Sequence, residues 1–99
     1  MRVGEMHSVT LNGVGRGPHA AVAVGDNFAH DLDIAVLQGG RVLGIDTMRD
    51  AMPIAVFNSN GGSLELRVSY ETGSGPSLVL MALLERAPST ALPGRTGRL

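Results

Sequence analysis

The chain contains no cysteine, tryptophan or lysine, and only 3% of its 99 residues are aromatic. Without cysteine there can be no disulfide scaffold, no cysteine-based zinc site and no thiol nucleophile. Charge is also scarce: charged residues make up 17% and the formal net charge is -1. A nucleic-acid binder usually carries a basic stripe, and none is present. No apolar run approaches the roughly 20 residues that span a bilayer, so a soluble chain is expected. A secretory leader needs a basic start followed by about 7–15 uninterrupted apolar residues. Here Glu5, His7, Ser8 and Thr10 interrupt at once. The chain is therefore expected to be cytoplasmic, or a mature or excised piece of a longer exported protein.

Apolar residues (43%) and glycine (14 residues) are plentiful. A chain of this length buries roughly 65% of its unfolded surface, enough for one modest core. Glycine and proline divide it into short segments, none of which reads as an amphipathic helix. Strands are expected at Glu5 to Asn12, His19 to Val24, Ile34 to Leu37, Arg41 to Ile45, Ile54 to Asn58, Ser63 to Tyr70 and Ser77 to Leu84. Gly13, Gly15, Gly17 and Pro18 mark a loop, and Ser59-Asn60-Gly61-Gly62 is the strongest turn signal. Leu37 and Arg41 flank a hairpin through Gly39-Gly40, while Asp46 to Ala51 reads as a loop or a single helical turn. In Ser63 to Tyr70, Leu64, Leu66, Val68 and Tyr70 share one face. Ser77 to Leu84 is apolar on both faces, which suits a central strand.

The pattern predicts an all-β, antiparallel, jelly-roll-like β-sandwich of about seven to eight short strands. Residues 1–86 form the single domain, and 87–99, rich in proline, glycine and arginine, read as a flexible C-terminal tail. The core is expected to be valine, leucine and methionine, with Phe28, Phe57 and Tyr70 as its only large rings.

The stretch His30-Asp31-Leu32-Asp33-Ile34-Ala35-Val36-Leu37, a glycine turn and then Arg41-Val42-Leu43-Gly44-Ile45-Asp46 resembles the bacterial pre-peptidase C-terminal domain. The order continues with Leu64-Glu65-Leu66-Arg67-Val68, the turn Gly73-Ser74-Gly75 and Leu78-Val79-Leu80, so that the likeness spans about residue 7 to residue 86. The resemblance implies a non-catalytic jelly-roll-like module attached to a secreted or periplasmic protein. Some relatives of that family bind calcium or extracellular polymers such as collagen.

Asp31 and Asp33 stand two apart at a strand start, so their side chains share a face. Asp46 closes the neighbouring strand, and Asp26 and Asn27 lie in the preceding loop. Calcium takes six to eight oxygen ligands, and Asp31, Asp33 and Asp46 are the candidate set. The alternative is that these aspartates cap turns by accepting backbone N–H bonds. The spacing of His7, His19 and His30 fits no helical metal site, and surface or turn positions are expected for them. Ser74 does not sit in a nucleophile elbow, and Gly13, Gly15 and Gly17 lack the spacing of a phosphate loop. Arg41, Arg49 and Arg67 form a basic cluster if their strands adjoin; otherwise they pair with Glu65 and Glu71 on a solvated face.

Three functions follow as expectations. The first is an accessory recognition module of an exported bacterial protein, stabilised by calcium, whose partner is a polymer or protein surface rather than nucleic acid. The second is a self-assembling structural β protein, a homo-oligomer built through open strand edges. The third is an enzyme fragment, since Pro53 to Leu66 is similar to the closing strands of bacterial S-adenosylmethionine hydrolases and fluorinases. No catalytic set can be named for it.

Overall fold

The computed structural model describes residues 1–85, so the expected tail at 87–99 lies outside the described residues. Five antiparallel strands form one sheet: β1 (Met6–Gly25), β2 (Ala29–Gln38), β3 (Arg41–Asp46), β4 (Ile54–Gly73) and β5 (Val79–Glu85). Their order is β3-β2-β4-β1-β5, and no helix occurs among the described residues. The all-β, antiparallel class therefore holds, with five strands where seven to eight short ones were expected.

The count differs because two glycine segments bend strands instead of ending them. β1 and β4 are each 20 residues long and pair along almost their whole length. The two segments read as loops face each other in this pairing, with Val14 opposite Gly62, Arg16 opposite Asn60 and Gly17 opposite Ser59. The register shifts between Leu11 and Val14. Gly61 and Gly62 take φ of 87° and 99°, backbone that a side chain rarely adopts but a glycine in a bulge does. The Gln38 side chain holds this bend: its Oε1 accepts from the Asn60 N–H at 3.0 Å and its Nε2 donates to the Gly61 carbonyl at 3.0 Å.

On one side of the bend β2 adds to β4, and β3 adds to β2. On the other side β5 adds to β1. The sheet folds back so that both halves close on one core. Ala21, Ala23, Ala55 and Phe57 from the β5 side pack with Leu32, Ile34, Val36, Leu64, Leu66, Val68 and Tyr70 from the β2 side. The segment before β4 ties the halves together, because the Asp50 carbonyl accepts from Leu32 N–H at 2.8 Å and the Pro53 carbonyl from Ala23 N–H at 3.2 Å.

The alternation predicted for Ser63 to Tyr70 is realised, with Leu64, Leu66, Val68 and Tyr70 all buried. The predicted hairpin also forms: Gln38 pairs with Arg41, and Gly39 and Gly40 have φ of 58° and 81°, as a two-residue hairpin turn requires. Asp46 to Ala51 contains no helical turn. The core differs from expectation in its rings and its methionines. Phe28 is 51% exposed, Met6, Met48 and Met52 are exposed, and small alanines fill the space beneath β1. Tyr70 is fully buried, and its hydroxyl reaches the carbonyls of Phe28 (2.8 Å) and Gly75 (2.6 Å). Its ring lies so close to Gly73 that any Cβ there would collide with it.

Candidate functional site

The sheet's outer surface differs between the halves. On the β2 side, Ser8, Thr10, Glu65, Arg67, Ser69 and Glu71 alternate with the buried leucines and valines, and Asp31 and Asp33 share this outer face. Arg67 Nε donates to Glu65 Oε2 at 2.7 Å, an exposed pair of small energetic value. On the β5 side every strand is apolar on both faces. Ala20 stands between Val56 and Leu84, Val22 between Ile54 and Ala82, and Val24 is opposite Leu80. Ile54 is 46% exposed, Val56 74%, Leu80 62% and Leu84 56%. No ionisable side chain stands among these positions. The small Ala20 leaves a shallow depression, lined by Pro18, His19, Val56, Leu84 and, at its rim, Glu85.

The sequence pattern contained this face without locating it. Ser77 to Leu84 was expected to be a central strand because both its faces are apolar. Instead β5 is the outermost strand beside β1: Val79, Met81 and Leu83 pack on the core while Leu80 and Leu84 face outward. Among the described residues, nothing covers the second apolar face.

The candidate metal residues do not form one site. Asp31 and Asp33 lie on the outer face of β2, and one carboxylate oxygen of each is buried without a hydrogen-bond partner. Burial raises the pKa of Asp33 above the ordinary carboxylate range, and the charges of Asp31, Glu71 and Asp46 push it the same way. Asp46 is paired with the buried Ile34, so it belongs to the opposite, inner face. Its two oxygens accept from Met48 N–H and Ile54 N–H, both at 2.9 Å, which makes it a loop cap. Among the described residues no group of three or more histidine, aspartate or glutamate side chains converges as a metal would need. Asp31 and Asp33 thus share one face of the sheet and Asp46 belongs to the other.

Asp26 also acts as a brace. Its Oδ1 accepts from the buried Ser77 hydroxyl at 2.7 Å and from Phe28 N–H at 3.1 Å, and its Oδ2 from Leu78 N–H at 3.1 Å. The Leu78 bond, then Ser77, hold its pKa below the ordinary value. This links the β1–β2 turn to the entry of β5.

The histidines occupy three different settings. His7 is exposed, 3.5 Å from Glu5, and His30 is exposed on β2. His19, expected at the surface or in a turn, is buried on the inner face, stacked on Phe57 and donating from Nδ1 to the Gly17 carbonyl at 2.8 Å. Gly13, Gly15 and Gly17 belong to β1, and Ser74 lies in the turn after β4, where its N–H bonds the Phe28 carbonyl. Of the three arginines, Arg67 lies mid-strand on β4, Arg41 at the β2–β3 hairpin and Arg49 in the loop before β4. Among the described residues no helix is long and apolar enough to cross a membrane. Comparison with known protein families, with curated proteins and with solved structures finds no match.

Proposed function

We propose that the chain is a non-catalytic β module that acts by presenting a surface. The observation that carries this reading is the apolar outer face at the β5 end of β1, β4 and β5, where Val56 is 74% and Leu80 62% exposed. Monomeric soluble proteins rarely expose a contiguous apolar patch above a few hundred Å2 unless something binds it. The resemblance to pre-peptidase C-terminal domains supports the same reading and gives it a setting, an accessory part of a larger exported bacterial protein. In that setting the folded-back sheet would serve as the jelly-roll-like sandwich, and the partner would be a protein or polymer surface. Calcium is not part of the proposal, since the candidate carboxylates stand on opposite faces of the sheet.

The test is retention on a phenyl-substituted resin, loaded from nanomolar solution so that the face is not covered by self-association. The wild-type chain should be held in moderate salt and released early when Val56→Glu and Leu80→Glu are combined. Circular dichroism should be the same for both chains. Equal retention of the two would remove this face as the working surface.

A further inference from the structure

We infer that the occupant of the apolar face is a second copy of this chain, stacked face to face across a two-fold axis. This rests on the surface reading above and names its partner. The first ground is area. The exposed parts of Val24, Ile54, Val56, Leu78, Leu80 and Leu84 amount to on the order of 600 Å2, near what one partner gives to a standard interface of about 800 Å2. Two such faces together remove on the order of 1,200 Å2 from water, the lower bound for a specific, stable association.

The second ground is chemistry. Ala20, Val22, Val24, Ile54, Val56, Leu80, Ala82 and Leu84 carry no charge. A copy of the same face therefore buries no ion at these positions, with the exposed Glu85 at the rim of the depression, whereas a partner with a charged surface would have to desolvate its ions without a counterpart. An isologous contact places identical patches together, and a patch made only of aliphatic side chains satisfies that condition by itself.

The third ground is shape. The low position Ala20 on β1 lies between the taller Val56 of β4 and the taller Leu84 of β5. The depression over Ala20 offers a seat for an aliphatic side chain from a facing sheet, and stacked sheets interdigitate in this way about 10 Å apart. The occupant is accordingly a sheet, and the chain supplies one.

Size-exclusion chromatography with light scattering, from micromolar to millimolar protein, tests the inference. The wild-type chain should show twice the chain mass, falling to the single-chain mass on dilution. Val56→Glu and, separately, Leu80→Glu should each show the single-chain mass at every concentration, with unchanged circular dichroism. Hydrogen exchange separates a stacked pair from strands joined at the β5 edge. Stacking makes no new backbone bonds, so β5 amides should exchange equally in dimer and monomer.

Three results would overturn the inference: the single-chain mass at millimolar protein, a dimer that survives both substitutions, or β5 amides that become protected on dimerisation. A monomer whose phenyl-resin retention still depends on Val56 and Leu80 would refute the second copy alone. A monomer whose retention ignores them would refute the surface reading as well.

Discussion

The two ends of the β1–β4 ribbon share one core, yet they show solvent opposite chemistries. At the β2 end β4 alternates, with leucine and valine inside and glutamate, arginine and serine outside, and Asp31 and Asp33 of β2 join that outer face beside the exposed Met6 and Ile45. At the β5 end both faces are largely apolar: Ala21, Ala23, Ala55 and Phe57 face the core while Val24, Ile54 and Val56 face out. The first end has the pattern of a sheet with one covered face. The second has the pattern of a sheet meant to be covered on both. Burial is thereby divided between the ends, the leucines of the β2 end being buried and the aliphatics Val56 and Leu80 of the β5 end exposed.

The largest effect should come from truncating the same strand at its two ends. Leu66→Ala removes a side chain that is 2% exposed and should cost about 2–5 kcal/mol in urea unfolding. Val56→Ala, ten residues earlier on β4, should change stability by less than about 0.5 kcal/mol when unfolding is measured in dilute solution. Equal costs would erase the division between the ends.

Next is the Tyr70 hydroxyl, which lies within hydrogen-bond distance of the Phe28 and Gly75 carbonyls at the foot of the β2 end. Tyr70→Phe should cost about 1–3 kcal/mol by thermal or urea unfolding, with the sheet's circular dichroism retained. The bend that joins the ends is slightly less costly to disturb. Gly62→Ala puts a side chain at φ 99° with open space around it, so the penalty is backbone strain alone, about 1–2 kcal/mol. Gly13, Gly17 and Gly61 also have positive φ, whereas Gly15 does not, and Gly15→Ala serves as the mild control.

The smallest effects concern pH and separate the two ends by sign. Asp33, at the β2 end, has a folded pKa above its unfolded one, so the native state holds more protons there. Its charged form opposes folding at neutral pH, and this penalty disappears as pH falls through the folded pKa. Asp33→Asn should therefore raise the melting midpoint at pH 7 by a few degrees, and the gain should vanish in acid. Asp26, beside β5, has a lowered pKa, so its stabilisation is present above the ordinary aspartate value and is lost as pH falls through its folded pKa. Thermal melts of Asp26→Asn should show a loss at pH 7 that narrows in acid.

Much of the β2 end was legible in the sequence. The alternation in Leu64 to Tyr70 identified a half-buried strand, and Gly39-Gly40 identified its hairpin neighbour, because both signals are local. The β5 end was harder to read. An apolar strand such as Leu78 to Leu84 looks the same whether a layer covers its outer face or leaves it bare. The candidate aspartates show a similar limit. Residues two apart, such as Asp31 and Asp33, share a face by strand geometry. Asp46 could be placed only once the pairing of Ile34 with Asp46 was known.

The sequence by itself determined the all-β class, the β2–β3 hairpin, the inward face of Leu64 to Tyr70 and the lack of thiol chemistry. Each of these depends on side-chain type and on neighbours within a few residues. The tertiary structure decided that Gly13 to Gly17 and Asn60 to Gly62 bend two long strands instead of ending four short ones. A glycine at positive φ serves a turn or a bulge equally well, and the choice is made by the strand opposite, which for Val14 is at Gly62. It also decided which apolar face is buried and which is left exposed. Burial depends on where the sheet folds back, and that follows from pairings between residues some fifty positions apart.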